Sequence, residues 1–475
     1  MNNPLILSNQ HIINTYQSSC NNHVLVVSPS GGGKTVSFLE PNLLYAEDNI
    51  VVRVSKRSIV DKYTPYFKKK GYRVYDLNLA HPENINSDSV AYDPLARVKD
   101  ESTGHLLAEQ IINLDDSRGT SADPYWASAS TELLKAIQYL VLSEDNEATF
   151  ADVLDCFADL NITETNSGIQ TSLSKRFDWL EKKAPKHEAI LAWKSFSSLP
   201  YRTAGCVYGS LSSVLQIFTK QFKDSIKSLP AFNIEDFCNQ KSILFVTANA
   251  TDTSRFKLSN LFFGDLIHNL IEQSEVNGGT LDHKTRLIID DFGVGGVIES
   301  IPEALSFVRE AGISMSLLCQ SISQLNTSYS TPKATTIKNN CDNIVFIGAP
   351  NDLDTANEMA LRINKPISEM LVLAANHALV CRRGNSPVIV NRYKTLEDSR
   401  YVDVTNSYNK APTMSKQHVR RIRKDFSPMR STLETIQELT NEVTSFTTKL
   451  DKRYKELTGE GLSSTKKSSK VTTSA

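Results

Sequence analysis

Short apolar runs rich in Val, Ile and Leu recur along the chain at 24–27, 50–54, 73–77, 242–247, 286–289, 314–318 and 343–347. Each is four to six residues long and lies among segments of helical periodicity. That alternation predicts an α/β fold with a parallel sheet. Between residues 100 and 229 the pattern changes. Segments 101–114, 125–142, 149–158 and 201–226 look helical and contain few β-branched runs, which predicts an all-α insertion interrupting the sheet. Residues 379–390 read as two strands joined by a Gly384-Asn385 turn that closes one sheet edge. The expected organisation is a sheet domain in two parts, 1–100 and 231–403, an insertion at 101–230 and a tail at 404–475. The tail opens with a basic cluster of Lys416, Arg420, Arg421, Arg423 and Lys424. Ile436, Val443, Leu450 and Leu457 follow at seven-residue spacing, with Leu439 and Phe446 at the second seam position. A short coiled coil and a plain amphipathic docking helix both fit this pattern. The Ser-, Thr- and Lys-rich end, 459–475, is expected to be disordered.

The first apolar run flows into Ser28, Pro29, Ser30, Gly31, Gly32, Gly33, Lys34 and Thr35. Three consecutive glycines let backbone N–H groups turn inward, and a helix starting near Lys34 would point its positive end at the same place. The segment reads as a phosphate cradle, in which Lys34 reaches the β- and γ-phosphates of ATP and Thr35 holds Mg²⁺. The usual pattern begins with glycine where this chain has Ser28, and a glycine turn without a ligand also fits these residues. Arg286 to Ile289 is an apolar strand ending in Asp290 and Asp291. A P-loop NTPase requires such an acidic strand beside the phosphate loop, with Asp290 binding Mg²⁺ through water and Asp291 polarising the attacking water. Glutamate is common at the second position. Aspartate is one methylene shorter, and about 1 Å of displacement in a catalytic group costs roughly a hundredfold, which predicts slow hydrolysis. The 314–318 run ends near Gln320, either a γ-phosphate sensor or an ordinary strand-end amide. Arg309, expected in the helix before that strand, is a trans arginine finger or a solvated helix residue.

Composition changes this picture little. The formal net charge is −1 over 475 residues, so any nucleic-acid contact must come from local patches or a lined pore. Seven scattered cysteines with no C-x-x-C spacing predict reduced thiols and no structural zinc. The N-terminus lacks a secretory signal, and the longest apolar stretches, such as 370–379, are too short to span a bilayer. A soluble, cytoplasmic chain is expected.

In order, the chain carries 22–27 with the Gly33-Lys34-Thr35 loop and Glu40 to Leu44, then 69–74 with 76–79 and 92–95. Tyr125-Trp126 follows at the start of the insertion, then 287–292, 309–313 with 320–325, and 339–342 with 354–356. Together these pieces resemble the TraG/TraD-type coupling ATPases of conjugative type IV secretion, relatives of the FtsK and HerA DNA pumps. The resemblance covers about residues 20–395. It implies a RecA-like domain with an inserted all-α domain, assembled as a hexameric ring that binds ATP and Mg²⁺ between subunits. It further implies that the ring engages DNA, expected to be single-stranded, and that the insertion receives a relaxase–DNA substrate for the secretion channel. Lys34, Thr35, Asp290, Asp291 and Gln320 inherit nucleotide roles position by position.

Two departures accompany the resemblance. The family usually carries membrane-spanning helices before the first strand, whereas a short leader precedes Val24, so attachment to the inner face of the membrane is expected through a partner. After the second strand the family shows Asp-Pro-Lys-Gly-Glu, where this chain has Val54, Ser55, Lys56, Arg57 and Ser58. With Ser28 and Asp291, this points to a site that binds ATP better than it hydrolyses it. Three functions fit: a conjugative coupling motor, an FtsK/HerA-like translocase outside secretion, and a nucleotide-binding scaffold with little turnover.

Overall fold

The computed structural model describes residues 3–18, 20–114, 123–166, 168–249 and 252–410. The basic cluster, the heptad segment and the Ser/Thr/Lys-rich end lie outside the described residues. A small antiparallel pair, β1 (Pro4–Ile6) and β2 (Ile12–Asn14), precedes the main sheet. That sheet is built from β3 (Val24–Val27), β4 (Asn49–Val54), β5 (Arg73–Asn78), β8 (Ser242–Thr247), β9 (Thr285–Ile289), β10 (Ile313–Cys319), β11 (Asn343–Ile347), β12 (His377–Arg382) and β13 (Val388–Asn391). The two strands between β5 and β8, β6 (Ile162–Thr165) and β7 (Gly168–Thr171), pair with each other inside the helical segment. The main sheet runs β13-β12-β11-β3-β10-β9-β4-β8-β5.

All pairings from β11 to β5 are parallel. The β12 strand returns antiparallel to β11 and pairs antiparallel with β13, which closes that edge as the Gly384-Asn385 turn predicts. Parallel strands are buried on both faces, and the alternation of side chains delivers this. From β3, Leu25 and Val27 enter one core while Val24 and Val26 enter the other; from β9, Leu287 and Ile289 go one way and Ile288 the other. The first core also receives the helical segment and the helix Thr253–Val276, and the second takes the helix Arg57–Lys69.

Among its described residues, the segment between β5 and β8 contains seven helices of at least nine residues, including Glu101–Ile112, Pro124–Glu144 and Phe150–Ala158. Three details differ from expectation. The β6–β7 pair interrupts the helices. The single helix expected over 201–226 is two, Tyr201–Leu215 and Lys220–Ser228, and Thr219 caps the second by accepting from Phe222 N–H. Two helices, Ser174–Lys183 and Glu188–Ser197, were not legible, because charged residues dilute the apolar spacing of the first. The sheet region also continues past Asp403 in the helix Ser399–Lys410, where Tyr401 OH accepts from Lys62 Nζ at 3.1 Å. No described helix is long and apolar enough to cross a membrane.

Strand order corrects one expectation. The strand carrying Asp290 and Asp291, β9, is not beside the phosphate-loop strand: β10 lies between them. The β3 strand is short, and the longer β10 supplies ladder partners on both sides, to Val24–Val27 and to Thr285–Ile289. Gln320, which follows β10, therefore stands between the loop and the acidic pair.

Candidate nucleotide-binding site

Strands β3, β10 and β9 all end at the same edge of the sheet, and their following residues form the candidate site. Gly31 and Gly33 have φ of 76° and 101°, conformations that side-chain-bearing residues rarely adopt. A side chain at Gly32 would collide with Ser28 Oγ, so the serine in place of the usual glycine is accommodated by the glycine four residues on. Ser28 N–H continues the ladder to Cys319 O at 3.2 Å, whereas its hydroxyl is buried without a partner. Such an orphan costs roughly 1–3 kcal/mol.

After the loop, Thr35–Leu39 winds in wide π turns before Glu40–Leu44 becomes α-helical. Such turns are often found at functional sites. Ser30 and Gly31 are exposed, Thr35 is half-buried and Lys34 is buried. The Lys34 ammonium donates to Ser28 O at 2.8 Å, folding back across its own loop. An ammonium held across a glycine-rich loop suits a polyphosphate.

Asp290 is 7% exposed, and its carboxyl is pushed up to about 6, first by burial and then by neighbouring Asp291, while Lys34 and Arg53 oppose the shift. Its Oδ1 accepts from Asp291 N–H at 3.0 Å. Asp291 has φ of 51°, an unusual conformation for a residue with a side chain. The chain turns there, and Phe292 N–H reaches Leu318 O at 2.8 Å. A buried carboxylate near a lysine, with Thr35 at the helix start, is a donor set suited to Mg²⁺ when the phosphates supply the remaining charge. Bound there, Mg²⁺ would neutralise phosphate charge. Gln320 is half-buried, its N–H donating to Gln324 Oε1 at 3.0 Å at the start of the helix Ile322–Asn340.

Arg309 is not brought to this site within one chain. It lies in turns after the short helix Ile301–Ala304, not in a helix, because Gly312 with φ of 81° reverses the chain just before β10. It is exposed and stands at the start of β10, whose seven residues separate it from Gln320 by about 20 Å. Its charge is felt by His23, at the N-terminal end of β3.

Sequence reasoning missed Arg53, hidden in an apolar run on β4. Arg53 is completely buried. Its Nε donates to Asp290 O at 3.0 Å, Nη2 to Asp291 O at 3.1 Å and Nη1 to Asn260 Oδ1 at 2.6 Å. The guanidinium lies 5.0 Å from the centre of the Phe256 ring. Burial lowers its pKa to about 10, which leaves it charged at neutral pH. Asn260 Nδ2 in turn donates to Gly295 O at 3.0 Å and Gly296 O at 3.1 Å, so one guanidinium and one amide hold the acidic turn and the glycine-rich loop after it. An arginine flanked by Val52 and Val54 was the available signal, since a charge in a strand buried on both faces must have partners.

Comparison with known proteins gives the family and the fold. Residues 7–365 match the family described as type IV secretory system conjugative DNA transfer. Over 358 residues the chain is 23% identical to the conjugal transfer protein TraG of Escherichia coli, covering 71% of this chain and 54% of that one. It is 21% identical over 374 residues to the type IV secretion system-coupling protein VirD4 of Bartonella quintana, covering 78% and 56%. The chain thus spans about half the length of the curated relatives it matches. The plasmid coupling protein TrwB, in complex with a non-hydrolysable ATP analogue, shares the fold with a TM-score of 0.57 and 17% identity over 78% of this chain and 85% of that one. The fold is therefore a RecA-like P-loop NTPase fold with a helical insertion, and the chain belongs to the type IV secretory conjugative DNA transfer family.

Proposed function

We propose that this chain is the ATP-driven coupling subunit of a conjugative DNA-transfer machine, recruiting a relaxase–DNA complex and moving DNA toward a type IV secretion channel. The observation that carries the reading is the convergence of Lys34, Gln320 and Asp290 at one sheet edge, from three neighbouring strands, over a loop whose glycines adopt left-handed φ. In this reading Ser30 to Thr35 wrap the phosphates, Lys34 neutralises them, and Thr35 and Asp290 hold Mg²⁺. Asp291 orients the attacking water and Gln320 senses the γ-phosphate. Arg309, at the far end of the same sheet, acts only across a subunit boundary, which supports a ring, taken to be a hexamer.

Turnover is slow, because Asp291 is short and its backbone is held by Arg53 through the carbonyl. The test compares ATP hydrolysis by the wild type and Lys34→Ala, with and without single-stranded DNA, at several salt concentrations. Lys34-dependent turnover that rises with DNA at low salt is expected, since phosphate-driven binding weakens as salt increases. DNA-independent turnover removes the motor reading. Nucleotide binding with no Lys34-dependent turnover leaves a scaffold.

A further inference from the structure

Arg392 follows the edge strand β13, three strands from β3, and is about as far from the phosphate loop in sequence as the fold allows. Its guanidinium nevertheless reaches that loop, where Nη1 donates to Gly32 O at 3.1 Å. It also fills the space a side chain at Gly33 would need. Its own backbone is fixed, with Arg392 N–H donating to Asn376 O at 3.0 Å. Three residues later Thr395, fully buried, donates from its hydroxyl to Val36 O. The segment 392–395 therefore grips the carbonyls at 32 and 36, on either side of Lys34 and Thr35.

We infer that Arg392 is a positioning residue of the phosphate cradle, locking the Gly32–Gly33 peptide so that the Gly33 N–H faces a nucleoside di- or triphosphate. The inference rests on the nucleotide-binding reading above. In a trans peptide the carbonyl and the N–H point in opposite directions, so anchoring Gly32 O aims the Gly33 N–H away from the guanidinium. This peptide joins Gly32 to Gly33, the latter at φ of 101°, and two residues without side chains resist its rotation very little. A flip would turn the carbonyl dipole toward the phosphates and withdraw a donor from them. The charged hydrogen bond from Arg392 opposes that flip, and it comes from a part of the chain that no local loop pattern includes.

The experiment measures fluorescent ADP and ATP binding to the full chain, with AMP as a competitor, for the wild type, Arg392→Ala, Arg392→Lys, Thr395→Val and Lys34→Ala. Arg392→Ala is expected to weaken ADP and ATP by about tenfold to a hundredfold, the range a lost charged hydrogen bond supplies, and to leave AMP unchanged. Arg392→Lys should recover part of the loss, because an ammonium can hold one carbonyl without the fork. Thr395→Val should lower the melting temperature while leaving ADP affinity within about twofold, since it loosens the helix and not the peptide. Equal losses in Arg392→Ala and Thr395→Val, or a loss that includes AMP, would mean a general structural tie and overturn the inference. Wild-type affinity in Arg392→Ala, with loss in Lys34→Ala, overturns the inference and keeps the nucleotide reading. If Lys34→Ala binds as the wild type does, the nucleotide reading itself falls. Should Arg392→Ala fail to fold, Arg392→Lys alone decides, because wild-type AMP binding with weakened ADP supports positioning and unchanged ADP opposes it.

Discussion

The two edges of the central sheet are built from the same apolar strands, yet they place different polar groups. At the N-terminal edge, side chains stitch the backbone shut. His23 Nδ1 accepts from Met315 N–H at 3.0 Å, and burial pushes its pKa down to about 4, so it stays neutral. Asn49 accepts from Ser242 N–H at 2.8 Å and donates to Phe237 O at 2.8 Å and Gln240 O at 3.1 Å. Asn343 Nδ2 donates to His23 O at 3.1 Å. At the C-terminal edge, buried charges accumulate: Lys34, Arg53 and Asp290 are all buried, Ser28 Oγ has no partner, and Asp291 sits in left-handed backbone. Orphan polar atoms occur at both edges, His23 Nε2, Ser242 Oγ and Asn343 Oδ1 at the first and Ser28 Oγ at the second, so what separates the two is the gathering of Lys34, Arg53 and Asp290 beside the glycine loop. The difference follows from chain direction, because at the C-terminal edge strands lead into helix N-termini, whose N–H groups and positive dipole ends favour anions.

The strongest way to break this comparison is Arg53→Ala. Three acceptors, Asp290 O, Asp291 O and Asn260 Oδ1, would lose their donor, and a buried cavity would form. A loss of about 3–5 kcal/mol in urea unfolding is expected, together with loss of ATP binding. Stability lost with nucleotide binding intact would show that Arg53 serves the fold alone. Asn49→Ala, at the opposite edge, should cost about 2–3 kcal/mol by the same measurement and leave nucleotide affinity unchanged, since only backbone ties are removed.

A third test uses pH. The Asp290 carboxyl keeps its proton up to about 6, so Mg²⁺ must displace that proton at lower pH. The Mg²⁺-dependent part of ATP affinity should fall about tenfold per unit below pH 6 and level off above 7, as a titration by calorimetry would read. Asp290→Asn should be flat. Stability moves the other way. A carboxyl raised from 3.8 to about 6 by folding contributes stability present below 3.8 and lost as pH rises through 6. The free wild type should therefore gain melting temperature relative to Asp290→Asn as pH falls from 7 to 5. The smallest expected effect is that of Arg309→Ala, which should leave ATP affinity of the single chain within about twofold because the residue stands at the other edge. A larger loss would require the two edges to communicate within one subunit.

Local chemistry made much of this legible. The seven strands of the parallel sheet were expected at nearly their observed positions, because buried strands are short unbroken apolar runs and the punctuation around them is strong. The turn proposed as a cradle was legible for a similar reason: Gly31, Gly33, Lys34 and Thr35 lie within five residues of one another. Arg53 was not, since its meaning lies in carbonyls more than two hundred residues away. Neither was Arg392, whose partner Gly32 is 360 residues away in the chain. Arg309 shows the converse: a residue can carry a suggestive motif position and still stand at the wrong edge of its own subunit.

By itself, then, the sequence determined the α/β class, the helical character of the segment between β5 and β8 and the glycine-rich turn after β3, because apolar period and glycine spacing act over a few residues. Tertiary structure alone decided that β10 separates the loop from the acidic strand, that one buried arginine fastens the acidic turn, and that a second arginine reaches the loop from the last strand. Those facts depend on which distant strands become neighbours, and hydrogen-bond partners across a sheet leave no periodic trace in the chain that supplies them.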